Sequence, residues 1–255
     1  MKEKFLVRVD LTRRHWEKEP VGEEILRQYL GGRILGNKYL YEEVAPGIDP
    51  LSPENKLFFS AGLLTGTTAP SAGRYALHCK SPQTGLYLCT LSGGYFGPAL
   101  RKSGLEMLIV EGACDTPVYL LIQPDRVEIK DAKHLWGMTT DITQELIRDE
   151  LGDPTARIAC IGPAGEGLVP YACVINERRA AGRGGAGAVM GSKRLKAVVV
   201  RGDREIEVAN PEAFSEAVRH LYQGFQANPM IGKGFRGLCH AGQWSRTRRV
   251  RSQGG

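Results

Sequence analysis

A chain of 255 residues makes one large domain or two small ones, and either can bury a hydrophobic core. A hydrophobic content of 42% with a charged content of 24% is ordinary for a globular protein and excludes a disordered or fibrous class. The formal net charge of +6 is concentrated near the end, where seven basic and no acidic residues occur between Ala217 and Gly255, so the body of the chain is nearly neutral.

Short strands alternate with turns through the first part of the chain. Alternating apolar residues over Phe5–Leu11 predict a strand. Val21–Tyr41 has the best helical spacing, but Gly31 and Gly32 interrupt it and predict a loop there. Segment 62–74 is rich in turn residues. The further strands predicted here are Lys56–Ser60, Tyr75–Cys79 and Leu86–Thr90, the last two joined as a hairpin.

The second part of the chain repeats this pattern with two longer helices. Asp141–Leu151 is amphipathic, and Thr140 or Asp141 is the predicted N-cap. Pro211–Phe225 predicts a helix that begins with proline. The pattern as a whole predicts an α+β fold. The strands predicted here are Leu108–Val110, Val118–Ile122, Arg126–Ile129, Arg157–Ile161, Leu168–Ile175 and Ala197–Val200.

Two glycine-rich segments, 92–97 and 182–187, lie ninety positions apart and share one design. Each is followed at matching spacing by a helix-length stretch, a leucine, an aliphatic run and a closing glycine. Glycine loops that open helices direct backbone N–H groups toward anions. The repeat therefore predicts a duplicated phosphate cradle, for one ligand with two similar halves or for two similar ligands.

Other interpretations of these glycines stay open at this point. Gly182-x-Gly184-x-x-Gly187 matches the dinucleotide fingerprint, but only Ala188–Lys196 separates it from the next strand, too little for a crossover helix. Close packing of backbone at sheet crossings is the structural alternative. Arg74 and Arg183 favour a ligand, because arginine suits bidentate phosphate contact.

The sequence predicts neither a metal site formed by side chains nor a membrane-spanning helix. Six cysteines and five histidines are scattered without a C-x-x-C pair or another ligand spacing, so neither a zinc site nor an iron–sulfur cluster is predicted. The apolar runs are strand-sized and too short to cross a bilayer. No long apolar stretch opens the sequence, and we expect a cytoplasmic protein.

Four segments in order carry a resemblance to a known family. They are residues 62–74, 80–85, 92–100 and 180–193, with the sequences GLLTGTTAPSAGR, KSPQTG, SGGYFGPAL and AAGRGGAGAVMGSK. Together they resemble the amino-terminal domain of the tungsten-containing aldehyde ferredoxin oxidoreductases, in register from about Phe5 to Pro229.

The resemblance implies two β-sheets with pseudo-twofold, duplicated organisation and short helices, which form the base for a tungsten or molybdenum bis-pterin cofactor. It also implies a magnesium ion that bridges the pterin phosphates and is held by the main-chain carbonyls of Leu91 and Ala181. Family members often have Asn at the position of Leu91. The leucine side chain cannot assist in holding the magnesium ion, which leaves only the main-chain carbonyl at this position. The residues implied to bind the cofactor are Arg74, Leu91, Ser92, Gly93, Gly94, Tyr95, Ala181, Gly182, Arg183, Gly184 and Gly185.

A complete family member oxidises an aldehyde to a carboxylic acid and passes the electrons through a [4Fe–4S] cluster to ferredoxin. The resemblance places the cluster cysteines and the catalytic residues in later domains, so we expect no catalytic residue in this chain and no activity from it alone. The dithiolene sulfurs belong to the pterins, and the protein contributes orientation and charge.

We expect residues 1–208 to form the bis-pterin-binding domain and 209–231 to start a second, helical domain. Residues 232–255 form a basic tail without apolar periodicity, expected to be disordered, and our hypothesis is that a shifted reading frame replaced the native continuation near 232–238. Two alternatives to a truncated oxidoreductase stay open: a stand-alone pterin-binding subunit completed by a partner chain, and a basic-tailed nucleic-acid-binding module, which is the weakest. A homodimer also stays open.

Overall fold

The computed structural model describes residues 4–228, which divide into two compact units. The larger unit comprises residues 4–67 and 71–206, and the smaller comprises residues 68–70 and 207–228. The predicted basic tail, 232–255, lies outside the described residues. The predicted domain boundaries at residues 208 and 231 stay predictions.

The first half of the larger unit forms a six-stranded sheet with the order β2-β1-β6-β3-β4-β5. Strands β1 and β6 are parallel, and the other neighbours are antiparallel. The elements are β1 (Lys4–Asp10), β2 (His15–Val21), α1 (Glu23–Tyr29), α2 (Gly32–Glu43), β3 (Leu57–Ala61), β4 (Tyr75–Lys80), β5 (Tyr87–Ser92), α3 (Phe96–Lys102) and β6 (Leu105–Glu111).

The second half forms another six-stranded sheet, with the order β11-β10-β9-β12-β7-β8. Strands β7 and β12 are parallel, and the remaining neighbours are antiparallel. The elements are β7 (Val118–Gln123), β8 (Arg126–Asp131), α4 (Thr140–Leu151), β9 (Arg157–Cys160), α5 (Pro163–Glu166), β10 (Val174–Asn176), β11 (Arg179–Ala181), α6 (Ala186–Ser192) and β12 (Leu195–Val200).

The two sheets correspond strand for strand. A parallel pair sits at the same place in each sheet, each sheet ends in a hairpin (β4–β5 and β10–β11), and a seven-residue helix (α3 or α6) follows that hairpin. Helices α3 and α6 begin ninety residues apart, as the glycine segments do. The predicted α+β fold of two duplicated sheets with short helices is therefore confirmed.

Three layers of apolar side chains hold the sheets. Leu108 and Val110 of the first sheet face Val198 and Val200 of the second in one core, to which α3 and α6 also contribute. The alternate residues face outward, for example Met107 toward the α2 side. Because both faces of these strands are buried, their sequences are continuous apolar runs.

Most predicted elements are present, and the exceptions have local causes. The helix predicted over Val21–Tyr41 is indeed interrupted, with Leu30 and Gly31 at φ values of 58° and 113° between α1 and α2. The strand predicted over Leu168–Ile175 is wrong except at its end. Leu168 has a φ of 58°, and Pro170 offers no N–H to a ladder, so a strand forms only from Val174.

Further differences concern strand edges and helix ends. Strands β2 and β11 were not predicted, because their residues are largely charged or exposed. The N-cap of α4 is Thr139, with an extended backbone, so the predicted caps Thr140 and Asp141 are wrong by one and two positions.

The helix that begins at Pro211 is confirmed in the smaller unit. It is α7 (Pro211–Ala227), and the side chain of Asn210 accepts a hydrogen bond from the N–H of Ala213 at 3.0 Å. Among residues 4–228, no helix has the length and apolar character that crossing a bilayer requires.

A buried histidine joins α2 to the first sheet. His78 of β4 has no exposed surface, and burial, with the Arg33 charge as a smaller cause, lowers its pKa to about 4. Its ring nitrogens lie 3.3 Å from the Ser60 hydroxyl and 3.1 Å from the Tyr87 hydroxyl. Gly36 of α2 packs directly on the ring, where a methyl group would lie 2.3 Å from Nε2.

We predict that His78 makes the stability of the fold depend on pH. Between pH 6.5 and about 4 the unfolded chain binds a proton that the folded chain does not, so the free energy of unfolding falls as the pH is lowered, by about 3 kcal/mol over this range. Urea unfolding at pH 7.5, 6.5, 5.5 and 4.5 measures this slope. His78→Gln, which does not titrate, should show a shallower slope, and equal slopes for both proteins would contradict the prediction.

Candidate functional site

Each predicted glycine segment connects an edge strand to a short helix. The first glycine loop, Gly93–Tyr95, joins β5 to α3, and the second glycine loop, Gly182–Gly185, joins β11 to α6. Strands β5 and β11 are the edges of their two sheets, and they contact each other. The two loops therefore lie at one seam between the halves.

The first glycine loop is held by residues of the second repeat. Asn176, at the end of β10, donates from Nδ2 to the Gly93 carbonyl at 2.8 Å. The Tyr95 N–H donates to the Glu177 carboxylate at 3.3 Å. Both partners belong to the β10–β11 hairpin, so this loop rests on the hairpin of the other half.

The second glycine loop is held in the same way by the first repeat. The Ser81 hydroxyl donates to the Gly184 carbonyl at 2.7 Å. Leu88 of β5 packs against Gly184 so closely that a methyl group there would lie 2.4 Å from Leu88 Cδ1. The bracing is thus reciprocal, as a pseudo-twofold axis between β5 and β11 requires.

These contacts fix how β5 and β11 pass each other. Leu88 meets Gly184 at one end, and Gly94 meets Arg179 at the other, so the strands run antiparallel. The two glycine loops therefore lie at opposite ends of the β5–β11 contact.

Asn176 is a site residue that the sequence did not reveal. It is completely buried, and its Oδ1 accepts from the Ser92 hydroxyl at 2.6 Å and from the Tyr75 hydroxyl at 3.2 Å. In the sequence, Asn176 is a single polar residue between an apolar segment and the charged residues 177–179. The wrong strand prediction over Leu168–Ile175 drew attention away from this position.

Glu177 makes the two loops electrostatically different. Its carboxylate bonds to the Tyr95 amide and to Arg157 Nη1 at 3.3 Å, and the Arg157 guanidinium lies 4.7 Å from the centre of the Tyr95 ring. One amide of the first loop is therefore already paired within the protein. Within residues 4–228, no carboxylate is bonded to the second glycine loop.

A cleft of about 410 Å³ opens beside β5, and Leu91, two positions before the first glycine loop, lines it. Arg33 and Arg74 line it together with Leu91 and other apolar or hydroxyl-bearing residues, and its lining contains no acidic side chain. Arg74 is placed by its backbone, whose carbonyl accepts from the Thr65 hydroxyl at 2.9 Å and packs on Gly97 of α3. Two larger clefts, of about 680 and 810 Å³, carry mixed charges. The smaller cleft is thus the best match for an anion with an apolar body.

The predicted site residues divide into exposed and buried groups. Within the described chain, the exposed Arg74 and Arg183 form no ion pair. The buried hydroxyl of Ser92 is used by Asn176, so it serves the fold. Leu91, Tyr95 and Gly182 are also exposed; Gly93, Gly94 and Gly184 are partly buried; Ala181 and Gly185 are buried.

The fold requires glycine at one of two loop positions and leaves the other free to carry a side chain. Gly185 has a φ of 83°, and a methyl group there would lie 1.9 Å from the Pro170 carbonyl oxygen, so the fold itself demands glycine. A methyl group at Gly93 would meet no atom within 4 Å, and its φ is not in the left-handed region. Gly93 therefore leaves an open space beside the loop that packing does not explain.

The strand order argues against dinucleotide binding. Strands β11 and β12 flank α6, but β10 and β9 lie between them in the sheet. The strand, helix and adjacent parallel strand of a dinucleotide-binding unit are therefore absent at the glycine motif 182–187.

A duplicated two-sheet α+β domain with cross-braced glycine loops defines the class of this protein. The family described as "Aldehyde ferredoxin oxidoreductase, N-terminal domain" matches residues 6–202, and the chain belongs to this family. The family expected from the sequence is confirmed.

Relatives and one solved structure agree with this assignment. The chain is 47% identical over 230 residues to the tungsten-containing aldehyde ferredoxin oxidoreductase of Pyrococcus abyssi. The aligned segment covers 90% of this chain and 38% of that protein. It is 33% identical over 235 residues to the "Aliphatic sulfonate oxidoreductase, WOR-like subunit" of Pyrococcus furiosus, with coverage of 86% and 37%.

The solved structure is the "Active site complex BamBC of Benzoyl Coenzyme A reductase in complex with 1,5 Dienoyl-CoA". It matches with a TM-score of 0.86 and 41% identity, over 87% of this chain and 34% of that chain. This chain thus spans little more than a third of the length of the proteins it matches.

We predict that alanine destabilises the fold strongly at Gly185 and only slightly at Gly93. Gly185→Ala should lower the free energy of unfolding by about 3 kcal/mol, because the methyl group clashes with backbone and the residue keeps a positive φ. Gly93→Ala, the matched control, should change stability by less than about 1 kcal/mol. Urea unfolding of both variants tests this, and a Gly93→Ala variant as unstable as Gly185→Ala would show that the space beside Gly93 is not open.

Proposed function

We propose that this chain is the cofactor-facing domain of a tungsten or molybdenum bis-pterin oxidoreductase that converts aldehydes to carboxylic acids, and that it is inactive alone. The observation that carries the proposal is that the two glycine loops lie at one seam and that each is held by hydrogen bonds from the other repeat. A bis-pterin cofactor has two similar anionic halves, which suits two loops related by pseudo-twofold symmetry.

The residues present fit such a ligand. The 410 Å³ cleft combines Arg33 and Arg74 with apolar walls and has no acidic lining, as a phosphate-bearing ring system requires. The open space beside Gly93 leaves room for a ligand against the backbone. Arg183, at the second glycine loop, supplies a further exposed guanidinium without an ion-pair partner among the described residues.

In this proposal each part of the seam has one task. Arg74 and Arg183 would neutralise phosphate charge, and Gly93, Gly94, Tyr95, Gly182, Gly184 and Gly185 would shape the backbone beside the pterins. The carbonyls of Leu91 and Ala181 would hold a magnesium ion between the phosphates. That role needs no acidic cluster, since carbonyl oxygens are normal magnesium ligands.

The bound metal would supply a two-electron acceptor, as an aldehyde and water become a carboxylic acid, two protons and two electrons. This chain's residues would orient the cofactor and balance its charge. We place the [4Fe–4S] cluster, the catalytic groups and the contact with ferredoxin in polypeptide that this chain does not cover.

A partner chain that supplies the missing part is the alternative we retain. Two similar proteins have names that point to multi-component assemblies, one called a subunit and the other an active-site complex. The exposed Leu63 and Leu64 at the cleft rim are 57% and 50% accessible, which suits a surface covered by further polypeptide.

We predict that Arg74→Ala and Arg183→Ala each lower cofactor retention by about tenfold, since each removes a charge-assisted contact to phosphate. The chain is co-produced, in a tungstate-supplied host that makes pterin cofactors, with the part of the Pyrococcus abyssi relative that it does not cover. Tungsten and pterin per chain are then measured.

Arg13→Ala is the control, because Arg13 lies in the β1–β2 turn with 84% of its side chain exposed. Unchanged tungsten and pterin in both test variants would reject the roles of Arg74 and Arg183. A wild-type chain that carries neither would reject the proposed function.

A further inference from the structure

We propose that Asn176 is a positioning residue for the cofactor, acting through the first glycine loop. This inference rests on the proposed function and adds a residue outside both glycine motifs. It stands on the contacts between the β10–β11 turn and the loop 93–95, whose partners lie more than eighty positions apart in the chain.

The amide of Asn176 has only one useful orientation. The Gly93 carbonyl can only accept a hydrogen bond, so the Asn176 nitrogen must face it, and Oδ1 must face the hydroxyls of Ser92 and Tyr75. One buried side chain thereby fixes the last residue of β5, the first residue of the loop and the core tyrosine. No smaller or apolar side chain satisfies all three groups.

The turn that carries Asn176 is itself held in place. Glu177 is a non-glycine residue with a φ of 54°, a conformation that persists only where the surroundings impose it. Gln144 of α4 accepts from the Glu177 N–H at 2.8 Å, and the Glu177 carboxylate reaches Tyr95 and Arg157. The loop is therefore braced through a rigid turn at both Gly93 and Tyr95.

This bracing has a consequence for the ligand because Gly93 borders the open space beside the loop. A loop that loses the Asn176 contact has an unpaired carbonyl at Gly93 and is free to turn it toward the ligand. An anionic ligand would then meet a carbonyl oxygen in place of open space. We therefore expect faster cofactor release, beyond any general loss of stability.

Asn55 provides a matched control. It is also a completely buried asparagine whose Nδ2 donates to two backbone carbonyls, those of Pro50 and Lys80, at 2.6 and 3.0 Å. It contacts neither glycine loop. Asn55→Ala should therefore destabilise the fold as Asn176→Ala does without acting on the first glycine loop.

The test compares pterin release from the co-produced complexes described above, for the wild-type chain, Asn176→Ala and Asn55→Ala. Released pterin is followed by its fluorescence after dilution, and hydrogen exchange of the peptide containing residues 92–96 is measured on the cofactor-free chain. We expect about tenfold faster release and faster exchange in Asn176→Ala, and wild-type values in Asn55→Ala. Asn176→Asp keeps the oxygen acceptors but loses the donor to Gly93, and it should release faster too, which keeps the test usable if Asn176→Ala does not fold.

Equal acceleration in the Asn176 and Asn55 variants would reduce Asn176 to a structural residue and overturn the inference. Wild-type release from Asn176→Ala would overturn it as well. In either case a cofactor-loaded wild-type complex leaves the proposed function standing. A wild-type complex without tungsten and pterin overturns both.

Discussion

The structure depends on a hydrogen-bonded seam between two edge strands. A buried amide must be satisfied, and that of Asn176 is satisfied only by groups from the other repeat. Ser81 makes the opposite connection to Gly184. Each glycine loop is held by the other repeat, so the two halves of the seam depend on each other.

The duplication is nevertheless imperfect in a way that matters chemically. The first loop has a carboxylate, Glu177, on the Tyr95 amide, and Leu91 of the strand that leads into the loop lines an arginine-bearing cleft. The second has an exposed Arg183 and no carboxylate contact within the described residues. A symmetric ligand would thus meet two different electrostatic environments, which gives it a defined orientation in the site.

The sequence predicted the repeated parts of the fold well because they are local. Gly94, Gly97 and the aliphatic runs that follow recur at a fixed offset, and α3 and α6 follow that offset. Strands β10 and β11 have only three residues each, too few for a periodic signal, and they form because β9 offers a partner. Asn176 acts on residues far away in the chain, and no local pattern reveals such a contact.

The family could be recognised from four short sequence segments, whereas the geometry of the site could not be predicted. Sequence spacing gave no indication that each loop rests on the hairpin of the other repeat or that Glu177 occupies a loop amide. Strand β2 was missed for a simpler reason, since its charged and partly exposed residues give no apolar alternation.

Anomalous X-ray diffraction at a tungsten absorption edge, from crystals of the co-produced complex, locates the metal relative to the seam. We expect one tungsten atom per chain above the β5–β11 contact, with Leu91 on one side and Ala181 on the other. A tungsten atom over another surface of this domain, such as the mixed-charge cleft at Asp125 and Arg157, would contradict it.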